Sequence, residues 1–429
     1  MKRKALLLTI IISIILNISA ISHAKTQNVP KTKSSSAIMV DLSTDKYLYK
    51  HNEDVKIQPG GFAKIMTAIV VLDHVKDISD TVTADINVIS SYDYSFGHMG
   101  ILAGEKLTIE NLLNGMLIYD AGDAAEVLSS TVMSSRKDFI REMNNKAIEI
   151  GALNTKFTNP TGFPDKKQYS TTSDIYKITK YAMSNKIFKE IVGKSRYEMS
   201  ATNKYTQPRY LDNKNKFMNI STTDKYYSPK AKGIKSSYID DTNCGVALQY
   251  ETDTMQLLIL TAGAPYDGEI NYAYEDAASL IKYGLDYYTN VKVVSEGEIF
   301  AEIELKNGKN EDRVLLEAKN DIFINLPKHY DESKIKKKID LKSNIKAPLK
   351  EGEVLGTVKI YYDGEEYIST ELYAPKTIEE DKLKGFLNKT KEILTSPTLL
   401  VTMGIILIIF VWSLLLFNRK KSYKIDKID

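Results

Sequence analysis

Cysteine is almost absent from this sequence of 429 residues, and its scarcity excludes two kinds of site. The single thiol, Cys244, has no partner for an internal disulfide and no second thiolate for a metal site. Histidine is also scarce, and the five histidines do not recur at metal-ligand spacing; they are His23, His51, His74, His98 and His329. We therefore expect no metal centre. Separately, we expect no cofactor.

Neither positive nor negative charge is in large excess. The sequence has 58 basic and 55 acidic residues, which give a formal net charge of +3. A balance this close to zero creates no strong positive field that would attract nucleic acid. We therefore expect no nucleic-acid partner. The length is sufficient for two or three domains.

The N-terminal segment is typical of a secretory signal. A basic start precedes an apolar run from Ala5 to Ile21, and Ser22-His23-Ala24 supplies small residues at the usual cleavage spacing. This pattern predicts a signal peptide over residues 1–24. The alternative interpretation is an uncleaved membrane anchor.

The other end carries an apolar run that is long enough to cross a bilayer. Residues 398–417 contain no charged side chain, and Arg419-Lys420-Lys421 follows at once. Basic residues on this flank predict a transmembrane helix with a cytoplasmic tail, residues 418–429. The parts between the two ends would then lie outside the cell membrane.

Between these ends the composition indicates four segments. Residues 25–36 form a polar, flexible lead. Residues 37–291 carry the main domain, and residues 292–375 have short strand patterns separated by Asn-Gly and Asp-Gly turns, which predict a small β-rich domain. Residues 376–397 form an amphipathic linker, with a helix expected over Thr377–Leu394.

Hydrophobic patterns within the main domain predict individual elements. Thr108, followed by Asn111, is expected to cap a helix N-terminus. Strands are expected at Ala37–Asp41, Tyr47–Tyr49, Gly245–Glu251 and Met255–Ala262. Helices are expected at Leu112–Ile118, Ala124–Val132, Phe139–Ile150, Ser173–Met183 and Ala273–Tyr288.

The stretch from Gln58 to His74 is the centre of this domain. It opens with Pro-Gly-Gly and continues as a helix that is apolar on nearly all sides, so we expect the helix to be buried. Lys64 enters in the first turn, where burial would favour its neutral form and make it a proton acceptor for a nearby hydroxyl. That hydroxyl should lie one turn earlier, but residue 61 is glycine.

Several segments in the right order and spacing resemble one family. They are Ala37–Asp41, Gln58-Pro59, Lys64–Ala68, Leu107–Met116, Asp123–Ala125, Phe157–Gly162, Tyr169–Thr171, Gly233–Lys235 and Gly263–Pro265. Together they resemble the serine-type D-alanyl-D-alanine carboxypeptidases, which are low-molecular-weight penicillin-binding proteins that trim peptidoglycan stem peptides. The resemblance implies an α+β fold, with an antiparallel sheet flanked by helices, then a small all-β domain and a C-terminal transmembrane helix.

The family's first two catalytic motifs are altered here. Active members use Ser-x-x-Lys, which holds the acylated serine and its lysine base, and Ser-x-Asn, which supplies a shuttling hydroxyl and a substrate-binding amide. The corresponding positions are Gly61 to Lys64 and Asp120 to Gly122. The nucleophile, the second hydroxyl and the amide are therefore all missing. Asp120 could pair with Lys64 or Lys235 and keep the lysine charged.

The third motif, Lys-Thr-Gly, is altered at its glycine. In the family, its lysine lies near the substrate carboxylate and its glycine lets the strand edge approach the bound peptide. Here the motif reads Lys235-Ser236-Ser237, so Ser237 places a side chain where close approach is needed. By resemblance, the remaining ligand-binding residues of the vestigial cleft are Lys64, Asp120, Lys235, Ser236 and Ser237, flanked by Phe62 and Tyr119.

Other serines do not offer a convincing replacement for the nucleophile. Ser-x-x-Lys spacing recurs at Ser43, Ser134, Ser333 and Ser343, as chance predicts in a lysine-rich chain. None of the four begins a buried apolar helix. Ser236 and Ser237 are nearer the expected cleft, but their lysine neighbour is on a strand rather than one helical turn away.

The sequence therefore supports three hypotheses. The first is a membrane-tethered, catalytically inactive relative of these carboxypeptidases that binds stem peptides or a cell-wall enzyme. The second is an active carboxypeptidase with a non-standard site. The third is a structural adaptor at the wall with a filled cleft.

Overall fold

The computed structural model of the protein describes residues 28–220 and 225–425. The predicted signal peptide lies outside the described residues. The chain forms two compact units. The first extends to Asn290 and includes Asn325–His329, whereas the second comprises Val291–Ile324 and the chain from Tyr330 onward.

The first unit is built on a five-stranded antiparallel sheet. The strands of this unit are β1 (Ser36–Asp41), β2 (Lys46–His51), β3 (Thr81–Thr83), β4 (Lys106–Thr108), β5 (Arg196–Met199), β6 (Arg209–Asp212), β7 (Ala231–Tyr238), β8 (Cys244–Glu251) and β9 (Gln256–Ala264). The strand order in the five-stranded sheet is β2-β1-β9-β8-β7, and the pairs β3–β4 and β5–β6 form two-stranded sheets outside it.

Helices cover both faces of this sheet. In the described part of the first unit the helices are α1 (Ala63–His74), α2 (Ile86–Ser90), α3 (Ile109–Leu117), α4 (Gly122–Val132), α5 (Arg136–Ile150), α6 (Thr172–Ser184), α7 (Lys186–Val192) and α8 (Tyr272–Tyr287). Because both faces are covered, the central strands are continuously apolar rather than alternating, and every residue of β1 is buried.

Side-chain alternation divides the sheet residues between two cores. On β1, Ile38 and Val40 pack with the buried residues of α1 and its neighbouring helices, whereas Ala37 and Met39 pack with those of α8. Helix α1 contacts α3, α4, α5 and α6, and this position explains why it is apolar on nearly all sides. The prediction of a buried central helix is confirmed.

The helix boundaries follow the capping signals in the sequence. The Thr108 side chain accepts a hydrogen bond from the Asn111 amide, and the Asn111 side chain accepts one from the Thr108 amide, so α3 begins with a capping box. Helix α5 ends at Gly151, whose φ of 82° lies in the left-handed region. The predicted cap at Thr108 is confirmed.

The second unit contains another five-stranded antiparallel sheet. The remaining strands within the described residues are β10 (Tyr288–Val294), β11 (Ile299–Glu304), β12 (Arg313–Ala318), β13 (Ile322–Pro327), β14 (Ile335–Leu341), β15 (Val354–Tyr362) and β16 (Glu365–Tyr373). The strand order in this sheet is β11-β12-β16-β15-β14. Asp363 and Gly364 form the turn between β15 and β16, both with positive φ, as the Asp-Gly signal predicted.

Two helices follow this β-rich part, α9 (Lys382–Leu394) and α10 (Pro397–Ile425). Helix α9 begins at Lys382 rather than at the expected Thr377, because Ile378 exchanges backbone hydrogen bonds with Leu349 and Asp381 caps the helix. Residues Pro397–Leu416 of α10 have a mean hydropathy of 2.8 and none of this segment is buried. By length and composition, this helix is suited to cross a membrane.

Candidate active site

The N-terminus of α1 lies against strand β7. A single 3-10 turn, Gly60–Phe62, leads directly into α1 and packs on β7, which is an edge strand of the sheet. This turn places Gly61 one helical turn before Lys64. Both residues are buried, and Lys64 is only 4% exposed.

Asp120 joins the two lysines that the sequence placed at the site. It lies in the connection between α3 and α4, and its φ of 67° is in the left-handed region, which aspartate tolerates better than most residues. Its Oδ1 accepts a hydrogen bond from Lys64 Nζ at 3.0 Å and lies 2.5 Å from Lys235 Nζ. One carboxylate oxygen is therefore shared by two lysine side chains, and its single negative charge can balance only one of two ammonium groups.

Burial and charge shift the pKa values of this cluster. Burial lowers the pKa of Lys235 to about 8, and the Lys64 charge acts in the same direction, while Asp120 opposes both. Burial alone would raise the pKa of Asp120, but the charges of Lys235 and Lys64 outweigh it and hold that pKa below its usual range. Asp120 is therefore an ion-paired carboxylate rather than a neutral acid.

Position 61 has no room for a side chain. Gly61 does not have a positive φ, so its backbone conformation would allow any residue. A Cβ atom at this position, however, would lie 2.6 Å from the Ser236 carbonyl oxygen and 3.2 Å from the Ser237 Cα. It would also lie 3.5 Å from Asp120 Oδ1. Strand β7 and the Asp120 carboxylate thus occupy the surroundings that a nucleophilic side chain would need.

The backbone amide at position 61 is occupied as well. Gly61 N–H donates a hydrogen bond to Ser237 Oγ at 2.9 Å, and Ser237 is buried. In acyl transfer, free backbone N–H groups beside the nucleophile commonly hold the developing oxyanion. The Ser237 hydroxyl takes this donor, which is a consequence of having serine where the family has glycine.

Tyr92 fills the space beside Gly122. A Cβ at Gly122 would lie 2.5 Å from the Tyr92 hydroxyl, so a substrate-binding amide does not fit there. The hydroxyl donates to the Gly97 carbonyl at 2.6 Å, and the Gly122 amide donates to the same oxygen at 2.7 Å. The sequence reasoning missed Tyr92, because no motif marks it and its contact with Gly122 is long-range.

The structure brings most of the predicted site residues together. Lys64, Asp120 and Lys235 form the ion-paired cluster, and Gly61 and Ser237 are hydrogen-bonded beside it. Gly122 follows Asp120 at the start of α4, and Ser236 is half-buried on β7. Whether any of these residues binds a ligand stays a prediction.

The flanking aromatics differ from expectation in one case. Phe62 is only 3% exposed and belongs to the hydrophobic core, where its ring faces Gly245 of β8. The expectation that Phe62 flanks the cleft is wrong, because the 3-10 turn directs its ring into the protein. Tyr119 is half-buried, and Lys214 Nζ lies 4.3 Å from its ring centroid.

The alternative serines lie away from any comparable cluster. Each of the four with Ser-x-x-Lys spacing is exposed: Ser43, Ser134, Ser333 and Ser343. Ser134, for example, donates a hydrogen bond to Asp138 on the surface of α5. None of the four has the buried setting in which a neighbouring lysine could act as a proton acceptor.

Two family models match most of the described chain. The model of the D-alanyl-D-alanine carboxypeptidase family matches residues 23–264. The model of the penicillin-binding protein 5 C-terminal domain matches residues 288–380. The first match alone covers more than half of the chain.

Curated proteins similar to this chain carry the same description. D-alanyl-D-alanine carboxypeptidase DacF of Bacillus subtilis is 26% identical over 394 residues, which cover 90% of this chain and 98% of the relative. D-alanyl-D-alanine carboxypeptidase DacC of Escherichia coli is 23% identical over 375 residues, which cover 86% and 90%.

Solved structures show the same fold. Penicillin-binding protein 5 from Haemophilus influenzae has a TM-score of 0.67 at 22% identity, covering 82% of this chain and 99% of that one. A peptidoglycan synthesis regulatory factor (PBP3) from Streptococcus pneumoniae has a TM-score of 0.69 at 20% identity, covering 82% and 100%. The chain therefore belongs to the D-alanyl-D-alanine carboxypeptidase family of low-molecular-weight penicillin-binding proteins.

Proposed function

We propose that this protein is a membrane-anchored, extracytoplasmic member of the family that does not catalyse acyl transfer. It acts in peptidoglycan metabolism by binding stem peptides or cell-wall enzymes. The observation that carries the proposal is the closure of position 61, where strand β7 lies too close for any side chain and the amide is already bonded.

The lysines support the same conclusion. A general base must accept a proton from the attacking hydroxyl. Lys64 instead donates a hydrogen bond to Asp120 Oδ1, and Lys235 pairs with the same oxygen. Restoring only the missing hydroxyl would leave the base position bound to a carboxylate.

Binding does not require the groups that are missing. The nucleophile forms the covalent bond and the oxyanion donors stabilise the transition state, whereas ground-state affinity depends on the remaining surface of the cleft. Of the predicted cleft residues, Tyr119, Asp120 and Ser236 are partly exposed, and Tyr238 is exposed at the end of β7. A ligand would therefore meet this edge of β7 and the connection before α4.

The proposed location is supported by sequence features at the two ends of the chain. The apolar segment of α10 supports anchoring at the membrane, and the basic residues Arg419-Lys420-Lys421 favour a cytoplasmic tail. We propose cleavage of the signal peptide after Ala24, which leaves the carboxypeptidase-like domain and the β-rich domain outside the membrane.

The test is the release of D-alanine by the full-length protein in detergent. The substrate is a stem-peptide analogue ending in D-Ala-D-Ala, and the Bacillus subtilis relative serves as the positive control. We expect no release above the detergent blank. Steady turnover that scales with the amount of protein would overturn the proposal in favour of an active enzyme with a non-standard site.

A further inference from the structure

We propose that a cavity between α2 and α4 binds a sugar. The cavity has a volume of about 560 Å³, and its walls come from α2, one side of α4 and the turn that leads into α5. Pockets for small molecules commonly have volumes of about 300–1,000 Å³. Lys64, Asp120 and Lys235 do not line this cavity. The proposed sugar site is therefore separate from the candidate active site and independent of the proposed function.

The serine hydroxyls in the wall act as hydrogen-bond acceptors toward a ligand. A hydroxyl has one proton to donate and two lone pairs that accept. Ser91, Ser129 and Ser130 all line the cavity, and each donates its proton to a backbone carbonyl oxygen of the preceding helical turn at 2.8–3.0 Å. Their lone pairs stay available on the cavity side. A ligand of this cavity therefore needs O–H or N–H donors.

The two charged side chains opposite each other in the wall neutralise one another. The Arg136 guanidinium donates to both carboxylate oxygens of Glu126, at 3.0 Å to Oε1 and 3.1 Å to Oε2, which is the bidentate geometry of a strong pair. This pairing favours a neutral ligand. Asp93 also lines the cavity, is exposed, and accepts a hydrogen bond from the Ser95 amide. Because its carboxylate would favour an amine instead, the experiment compares both ligand classes.

Apolar side chains line the same cavity. Val88, Met133 and Phe163 are each half-buried there, and Phe96 stacks on the Phe163 ring with a centroid distance of 4.0 Å. Apolar surface with a few fixed polar groups is the usual lining of a ligand pocket. A pyranose sugar has the matching division, with C–H groups on the faces of its ring and O–H donors around its edge. An N-acetyl amino sugar adds an amide N–H donor.

The experiment is ligand-observed saturation-transfer NMR on the full-length wild type with N,N′-diacetylchitobiose, a disaccharide of N-acetylglucosamine. The detergent has no sugar headgroup, so it does not compete, and empty micelles give the blank. Cadaverine is the comparison ligand, because it also carries N–H donors but is charged. We expect saturation of the sugar C–H protons above the blank and none of cadaverine above its own blank.

Ser130→Trp blocks the cavity, and Thr131→Trp is its matched control. Both residues are exposed on α4, and both hydroxyls donate to the Val127 carbonyl oxygen at 2.8 Å. Ser130 lines the cavity, whereas Thr131 does not. We expect Ser130→Trp to reduce the sugar signal to the blank and Thr131→Trp to keep the wild-type signal. Thermal unfolding checks that both variants fold, and Ser91→Trp blocks the cavity from α2 if Ser130→Trp does not.

The proposal is overturned if the sugar gives no signal above the blank, or if cadaverine binds and the sugar does not. It is also overturned if the folded blocking variant keeps the wild-type signal, or if Thr131→Trp loses as much signal as the blocking variant, because the sugar would then bind elsewhere. None of these results bears on acyl transfer, since release of D-alanine is measured separately.

Discussion

Replacing Gly61 by serine restores the family's nucleophile in sequence but not in structure. The new Cβ would lie 2.6 Å from the Ser236 carbonyl oxygen, well inside ordinary contact distance. That oxygen belongs to the backbone of β7, which is hydrogen-bonded to β8, so it cannot rotate away as a flexible side chain would. Gly61→Ser must therefore displace the strand or the N-terminus of α1.

The expected cost is that of overpacking a buried site, about 1–3 kcal/mol. For a domain of this size, ~1 kcal/mol lowers the unfolding midpoint by about 2–4 °C, so we expect a decrease of about 2–12 °C. The assay is thermal unfolding of the full-length protein in detergent, followed by incubation with fluorescent penicillin. We expect Gly61→Ser to be destabilised and to stay unlabelled, because Asp120 still holds Lys64.

A second glycine provides the control. Gly193 has a φ of −74°. A Cβ added at this position would lie 3.2 Å from its nearest neighbour, the Lys189 carbonyl oxygen. Gly193→Ser should change stability by less than about 0.5 kcal/mol. If Gly61→Ser is as stable as Gly193→Ser, or is labelled stoichiometrically by penicillin, the argument that β7 closes position 61 is refuted.

Three further predictions concern the charge of Lys235 and anchoring at the membrane. Because Asp120 raises the pKa of Lys235, Asp120→Asn should lower that pKa from about 8. An NMR titration of the lysine side chains measures this change, and Lys235→Arg identifies the Lys235 signal. In the wild type, the pKa of Lys235 is about 8 in the folded state and is expected to be near its ordinary 10.5 in the unfolded state. Between these two pH values the unfolded state binds more protons than the folded state. The free energy of unfolding should therefore rise as the pH is raised from 8 to 10.5. A flat profile in the wild type, or the same rise in Lys235→Met, would contradict this assignment. Ending the chain at Ser396 removes the apolar segment of α10, and we expect the shortened protein to leave the membrane fraction.

The sequence predicted the parts of the fold that depend on local signals. The apolar helix α1 and the cap at Thr108 follow from composition and spacing, and both are confirmed. The hairpin β5–β6 was missed because its strands, Arg196–Met199 and Arg209–Asp212, are only four residues each and carry charged side chains. Helix α7 was missed because its seven residues span only two turns.

In the candidate site, too, the sequence predicted some contacts and not others. The motif positions indicated a possible pair between Asp120 and one lysine, and the structure shows one oxygen contacting both lysines. Sequence order could not reveal that Tyr92 lies against Gly122 or that Ser237 bonds the Gly61 amide. These contacts depend on how closely β7 approaches α1 and how closely the connection between α2 and β4 approaches α4. The spacing of residues along the sequence does not determine these distances.

The most direct test of the central claim is the intact mass of the full-length wild-type protein after incubation with excess penicillin. An acyl-enzyme adds the mass of one penicillin molecule to the protein. The closed position 61 and the paired lysines predict that the mass is unchanged. Stoichiometric addition of one penicillin, located by peptide mapping to a serine, would contradict the claim that this protein has lost acyl transfer.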